Sequence, residues 1–189
     1  MRPPKLSHVI GIDDAPFARS ERGDVPMVGA VFSGMRLEGV LTGRVRRDGA
    51  NATRRIAEMV AESRFYGQLQ LVLLQGIAMA GFNVVDIHAL RDQLGLPVMV
   101  VARRRPDMKA IRRALMTRVP GGARKWRLVE KAGPMEALAG VYVQRAGIDL
   151  AHAKWLIERL AVNSDIPEPL RTAHIIAGGV ATGESRHRV

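Results

Sequence analysis

The sequence predicts an α/β fold, a mixed β-sheet flanked by helices, from three features of its apolar pattern. A nearly continuous apolar run at 7–12 is typical of a central strand buried on both faces. Apolar stretches at 27–32 and 37–45 follow after short connections, which favours a three-stranded antiparallel meander. Strand patterns at 69–74 and 97–102 enclose a helical pattern, and this order predicts a right-handed parallel crossover. We therefore expect antiparallel strands on one side of the sheet and parallel strands on the other.

Helical spacing of apolar residues accounts for most of the rest of the chain. The predicted helices cover residues 53–66, 83–94, 107–118, 149–160 and 167–177. Two short strands, 126–130 and 141–144, are predicted to form a small β annex near 120–147. The expected organisation is one domain over residues 1–189, with the annex attached to it.

Cysteine is absent from the 189 residues, which excludes disulfides and thiolate metal sites. No apolar stretch approaches the roughly 20 residues of a membrane-spanning helix. The N-terminus also has no apolar segment long enough for a signal peptide. A cytoplasmic protein that does not bind membranes is the simplest expectation, and nothing in the sequence indicates an oligomeric state.

The formal net charge of +11 points to a polyanionic partner, because 24 of the 29 basic residues are arginine. An arginine side chain grips phosphate with two hydrogen bonds, whereas lysine acts as a point charge. Nucleic acid is therefore the expected partner. A genome that encodes arginine in preference to lysine at solvated positions would give the same composition.

Acidic residues follow two of the predicted strands. Asp13 and Asp14 end the first strand, and Asp48 comes just after the third. The first and third strands of a meander run parallel, so these acids emerge at one edge of the sheet. Carboxylates at a strand end are natural Mg²⁺ ligands. Helix caps, salt bridges to arginine, or a simple turn at Asp48 are the alternatives.

Gln75 ends the fourth strand, beside the first, where a third carboxylate would complete a divalent metal site. Its amide oxygen can coordinate Mg²⁺ but contributes no charge, so affinity should fall. The five histidines show no metal-ligand spacing, and a lone one such as His174 is more typical of a packed or capping residue. Asp86 is expected to be an acid on a helix surface.

The meander, the crossover and the acids at strand ends describe an RNase H-like fold. At this point the sequence also resembles a known family, the archaeal endonuclease dU proteins, which are similar to endonuclease V. The resemblance covers most of the chain. It is carried by residues 11–17, 81–86, 95–98, 167–174 and 183–185.

The resemblance implies a metal-dependent endonuclease acting on DNA with deaminated bases, uracil or hypoxanthine, with Mg²⁺ or Mn²⁺ as cofactor. Asp13, Asp48 and Arg103 would be the catalytic residues, and Arg103 would lie near the scissile phosphate. Asp14 and Gln75 would assist Asp13 and Asp48 at the metal. The residues expected to bind nucleic acid are Arg46, Arg47, Arg103, Arg104, Arg105, Arg124 and Lys125. His174 and Glu184 are further site candidates.

Two positions depart from the pattern of the family. Its members usually carry aspartate where this chain has Gln75, and they tend to carry a second aspartate at the position of Asn51. The loss at Gln75 removes a carboxylate from the expected metal centre. The alternative function is therefore a protein of the same fold that binds DNA or RNA and cleaves weakly or not at all.

Overall fold

The structure is a computed structural model that describes residues 7–185. The basic N-terminal leader and the last residues of the tail, Arg186, His187 and Arg188, lie outside the described residues. Nine strands form within 7–185: β1 (His8–Asp14), β2 (Asp24–Ser33), β3 (Arg36–Arg46), β4 (Leu71–Gln75), β5 (Ala78–Met79), β6 (Asn83–Val84), β7 (Val98–Ala102), β8 (Glu136–Leu138) and β9 (Val141–Ala146).

Seven of these strands form one mixed sheet in the order β3-β2-β1-β4-β7-β9-β8. The antiparallel meander predicted for the first three strands is confirmed, as is the parallel pairing of β4 with β1 and β7. The far side differs from the prediction because β9 and β8 add antiparallel to β7. Parallel strands therefore lie at the centre, and β8 and β9 extend the main sheet where a small annex was expected.

Six α-helices cover the sheet: α1 (Ala52–Ala61), α2 (Ile87–Leu94), α3 (Met108–Arg118), α4 (Gly122–Lys131), α5 (Leu150–Leu160) and α6 (Glu168–Thr182). A large core cluster joins alternate residues of β1 and β4, such as Ile12 and Leu74, to α1 and α2. The opposite face carries a second cluster, which includes Leu73 and residues of α5. α6 packs across β1 and β2. No helix within 7–185 is both long enough and apolar enough to cross a membrane.

The predicted strand at 126–130 is wrong, because this segment belongs to α4. Its buried residues are Gly122, Lys125 and Val129, which recur every three to four positions as on one face of a helix. The buried lysine obscures this period, since a lysine at an inward position hides the apolar stripe that normally identifies a helix.

Three helix boundaries also differ from the prediction. The first helix was expected to reach residue 66, but α1 ends at Ala61 and a separate 3₁₀ turn follows at Tyr66–Gln68. The helix expected at 83–94 begins only at Ile87, because Asn83 and Val84 pair with β5 and Asp86 caps the helix by accepting from the Ala89 N–H. The last helix runs on through the glycine pair to Thr182 and ends at Gly183, whose φ of 84° suits a left-handed cap.

Candidate active site

The carboxyl ends of the three parallel strands β1, β4 and β7 meet at one edge of the sheet. β4 lies beside β1 with Ile12 opposite Leu74, so the next residues, Asp13 and Gln75, are neighbours. Gln75 in turn pairs with Val101 of β7, and Arg103 follows directly after that strand ends. The sequence therefore predicted correctly that these strand ends lie side by side.

The pleat divides the two adjacent acids between opposite faces of the sheet. Asp13 belongs with Val9 and Gly11 on the face that α6 covers, and it is only 5% exposed. Gln75 shares this face, because Leu71 and Leu73 of the same strand pack in the cluster that contains Val9.

His174 of α6 is the partner of Asp13. Its Nδ1 atom lies 2.7 Å from Asp13 Oδ2, while Asp13 Oδ1 accepts the backbone N–H of Asp14 at 2.9 Å. Gly11 makes this contact possible, since a Cβ at that position would clash with the backbone of Pro169 and Leu170 in the first turn of α6. The close approach of helix and strand brings His174 over the end of β1.

Burial raises the pKa of Asp13, and the hydrogen bond and charge of His174 offset only part of that effect. The pKa of Asp14 is raised to about 7, first by burial and then by the adjacent charge of Asp13. Two acids at one strand end are therefore poorly stabilised as anions. A nearby cation would favour the ionised form of both.

Gln75 carries a buried oxygen, Oε1, that accepts no hydrogen bond within the described residues. An unpaired buried carbonyl oxygen costs on the order of 1–3 kcal/mol, so native structures rarely retain one without a reason. Its place beside Asp13 gives the edge a neutral oxygen acceptor next to a carboxylate.

Asp14 and Asp48 meet on the other face, at Ala80. The backbone N–H of Ala80 lowers the pKa of Asp14, while the Ala80 carbonyl accepts the Asp48 N–H at 2.9 Å. Both Asp48 and Ala80 are non-glycine residues with positive φ, 50° and 46°. This backbone conformation is costly for alanine and is retained where the surroundings demand it.

The Asp48 carboxylate is already occupied by protein groups. Its Oδ1 accepts the Phe82 N–H at 2.8 Å, and its Oδ2 lies 3.3 Å from Nε of Arg47. A side chain at Gly81 would collide with this carboxylate. Asp48 follows β3 at the same edge of the sheet as Asp13, but its carboxylate contacts Phe82 and Arg47 and shapes the turn before β6.

Two of the predicted nucleic-acid-binding residues make internal contacts. Arg47 donates to the carbonyls of Arg19 and Glu21, and its guanidinium lies 5.3 Å from the ring centre of Phe17. Lys125 is 4% exposed and donates to the Asp48 carbonyl. Both hold the loops around the site, and neither offers a free surface charge to a phosphate.

The other predicted binding residues lie at the surface. Arg46, 3.7 Å from Asp24, is exposed, as are Arg124 and the run that follows β7. That run is Arg103, Arg104 and Arg105. Glu184 is exposed beyond the end of α6, and its carbonyl accepts from the Thr182 hydroxyl.

Asn83 is a structural residue that the sequence analysis missed. Its fully buried amide donates to the Arg46 carbonyl and to Asn51 Oδ1, and its oxygen accepts the Ala52 N–H. Asn51 therefore serves as an acceptor for Asn83 and for the Arg46 N–H. Asn83 lies in the segment 81–86, one of the stretches that carry the family resemblance, and this resemblance was the signal that could have identified it.

The donors at the edge suit a hard divalent cation, although the set differs from the predicted one. Asp13 supplies carboxylate oxygens and Gln75 supplies the unpaired Oε1 on one face, whereas the Asp14 carboxylate lies at the same strand end on the other face. Within residues 7–185 no three His, Asp or Glu side chains come together as a metal-binding group.

The fold of this chain is RNase H-like, and solved structures of endonuclease V share it. The structure of endonuclease V from Bacillus subtilis matches with a TM-score of 0.63 at 14% identity, over 97% of this chain and 84% of that one. Endonuclease V of Ciona intestinalis, solved in complex with a 24mer DNA containing an inosine, matches with a TM-score of 0.57 at 14% identity, over 89% and 83% of the two chains.

The chain belongs to the endonuclease dU family, whose sequence profile matches residues 5–181. A UPF0215 protein of Deinococcus radiodurans is 60% identical over 96% of this chain and 93% of its own length. A UPF0215 protein of Methanothermobacter thermautotrophicus is 49% identical over 94% and 89%. A protein of unknown function from Archaeoglobus fulgidus superposes with a TM-score of 0.85 at 33% identity, over 92% and 97%. The relatives thus include bacterial as well as archaeal proteins.

Proposed function

We propose that this protein is a metal-dependent endonuclease that cleaves DNA containing a deaminated base, uracil or hypoxanthine, and so acts in DNA repair in the cytoplasm. The observation that carries the proposal is the buried Asp13, bonded to His174 and placed beside the unpaired oxygen of Gln75. Membership of the endonuclease dU family supports nuclease activity. The inosine-containing DNA bound to a protein of the same fold supports this class of substrate.

Asp13 and Gln75 would hold Mg²⁺ or Mn²⁺ on the face that α6 covers, and Asp14 would add negative charge at the same strand end. When bound, such a cation lowers the pKa of a water molecule and neutralises charge on the reacting phosphate. His174 fixes the orientation of the Asp13 carboxylate. Arg103, at the end of β7, would stabilise negative charge on the phosphate as it develops. Asp48 would stabilise the loops beside this edge, because its carboxylate accepts the Phe82 N–H and pairs with Arg47.

A damaged base must leave the stack before a protein can read its edge. Arg104 and Arg105, which are exposed beside the edge, would bind the phosphates of the strand that carries that base.

A strand-nicking assay tests the proposal with duplexes that contain one uracil or one hypoxanthine, in Mg²⁺ and in chelator. We expect lesion-dependent nicking only with the metal. The variant Asp13→Ala should reduce the rate by about 100-fold or more, as loss of one group at a charged reaction centre does. Asp92→Ala, which removes an exposed acid of α2, is the control and should leave the rate unchanged.

Nicking that persists in chelator or in Asp13→Ala would refute the proposed site. A preference for undamaged duplex would refute the substrate class while leaving a nuclease in place.

The neutral Gln75 favours a second candidate, a protein that binds DNA or RNA through the same edge and cleaves weakly or not at all. Binding without nicking in the native protein, together with metal-dependent nicking in Gln75→Asp, would establish this alternative. Efficient nicking by the native protein would exclude it.

A further inference from the structure

The positive charge of the chain is concentrated in one segment, the basic arm, which we define as residues 103–131 with α3 and α4. Its basic residues are Arg103, Arg104, Arg105, Lys109, Arg112, Arg113, Arg118, Arg124, Lys125, Arg127 and Lys131. Asp107 and Glu130 are its acids, so the arm carries +9 of the net +11. The remainder of the chain is nearly neutral by the same count.

Two of these lysines bond the arm to neighbouring parts of the protein. Lys125 donates to the carbonyl of Asp48, and Lys131 lies 2.7 Å from Asp86 Oδ2 at the start of α2. The arm also has its own small core, in which Leu115 and Val129 pack with Val84 of β6. The arm is thus a firmly held element that begins at the catalytic edge, where β7 ends.

The outer surface of α3 carries a groove of about 310 Å³. The small residues Ala110, Ala114 and Thr117 form its floor, and Arg113 and Arg118 flank it. The two arginines are five residues apart, which is about 7.5 Å along a helix axis. This distance corresponds to roughly two nucleotide steps along one strand of B-DNA.

We propose that α3 of the basic arm is a second nucleic-acid contact, outside the catalytic edge, that binds the phosphate backbone in its groove. Small side chains let a sugar–phosphate backbone approach the helix, and the guanidinium groups on either side fit phosphate oxygens. Arg112, whose guanidinium lies 5.8 Å from the ring centre of Trp126, adds charge on the same helix. The proposal takes its class of partner from the proposed function, but it concerns binding and needs no cleavage.

The salt dependence of binding tests the arm. Binding of a 20-base-pair duplex is measured without divalent metal over a series of NaCl concentrations, so that cleavage does not contribute. Each lost phosphate contact should reduce the slope of log K against log[salt] by roughly 0.9. We expect R113Q/R118Q to lower the slope by about 2 and to weaken binding at least about tenfold at low salt.

The control is K154Q/R159Q on α5. It removes the same charge at the same spacing, and Arg159 lies in the last turn of α5 as Arg118 does in α3. We expect this control to leave the slope unchanged. Equal losses in both variants, or no loss in R113Q/R118Q, would overturn the proposal.

The groove itself is tested by Ala114→Leu, which fills its floor without changing charge. Weaker binding with an unchanged thermal midpoint is expected. Native affinity in this variant would show that the backbone does not enter the groove.

The same titration with a single-stranded DNA and a duplex RNA identifies which backbone fits best. Stronger competition by polyglutamate than by any of these nucleic acids would mean an acidic protein partner and would overturn the proposal. Binding that depends on the arm in a protein that does not nick DNA would contradict the proposed function alone. Nicking that is unaffected by R113Q/R118Q, with an unchanged salt slope, would contradict the arm alone.

Discussion

At the scale of single residues, the pleat of β1 gives two adjacent acids different surroundings. Asp13 faces α6 and the imidazole of His174, whereas Asp14 faces Ala80 and the turn that contains Asp48. The pair interacts electrostatically across the strand, since the charge of Asp13 raises the pKa of Asp14. One strand end therefore places a carboxylate on each face of the sheet.

Asp14 makes the stability of the protein depend on pH. Its pKa is about 7 in the folded protein and 3.8 in an ordinary environment, so between these values the unfolded state binds fewer protons. The free energy of unfolding therefore falls as pH rises from about 4 to 7. Asp14→Asn removes this loss, and at pH 8 in chelator we expect it to be more stable than the native protein by on the order of 2 kcal/mol.

Urea denaturation at pH 5 and pH 8 measures this difference. The gain should fall by more than half at pH 5, because Asp14 is then protonated in the folded protein but still ionised in the unfolded state. The control Asp92→Asn, at an exposed acid of α2, should show no such pH dependence. A gain of equal size at both pH values would contradict an acid that ionises near neutrality.

Sequence reasoning located Asp13 and Gln75 because strand ends are visible in an apolar pattern. It named His174 as a site candidate but could not assign its partner, because the contact with Asp13 joins positions 161 residues apart. That contact depends on the close approach of α6 to Gly11, which no local pattern encodes. The occupied carboxylate of Asp48 was equally hidden, since its partner is a backbone N–H in another loop.

At the scale of elements, the junction between β3 and α1 is held by one buried amide. Asn83 satisfies the carbonyl of Arg46 at the end of β3 and the first N–H of α1 at Ala52. α1 has no cap from its own Asn51 side chain, because that side chain bonds to Asn83 and to the Arg46 N–H. Strand and helix are thus joined through β6.

Asn83→Ala should therefore destabilise the protein by about 2–4 kcal/mol, because it leaves several buried polar groups without partners. Chemical denaturation monitored by circular dichroism measures the change in the free energy of unfolding. Gln68→Ala, at an exposed residue of the short 3₁₀ turn Tyr66–Gln68, is the control and should change it by less than about 0.5 kcal/mol. A loss below about 1 kcal/mol for Asn83→Ala would mean that water replaces the amide.

Elements with a regular apolar period were predictable, and the exceptions have physical causes. β3 and the helix at α3 were found because their patterns are local. The 126–130 segment was misread because buried Lys125, which bonds to Asp48, occupies an inward position of α4. α2 was predicted to begin too early because Asn83 and Val84 form a two-residue strand, too short to show any alternation.

At the scale of the whole molecule, the sheet and the charge distribution have a common centre. The parallel strands β1, β4 and β7 end at the edge that carries Asp13, Gln75 and Arg103, and the basic arm begins where β7 ends. The net charge alone predicted a polyanionic partner. Only the fold shows that α3 and α4, which carry most of that charge, follow the edge at which β7 ends. Charge and acids are thereby brought to the same side of the protein.

The family resemblance implies one partner for Asp13 at this edge, and the geometry favours another. The resemblance implied Asp48 as a principal ligand, and in the structure its carboxylate accepts the Phe82 N–H and pairs with Arg47. The unpaired oxygen of Gln75 lies on the same face as Asp13. On the proposed function, the cation would therefore bind at Asp13 and Gln75.

Diffraction at the manganese absorption edge from a crystal grown with Mn²⁺ tests whether these two residues bind the metal. We predict one anomalous peak at the end of β1 and β4, within coordination distance of Asp13 and the Gln75 oxygen, and its loss in Asp13→Ala. A peak held by Asp48 away from Gln75, or the same peak in Asp13→Ala, would contradict this prediction.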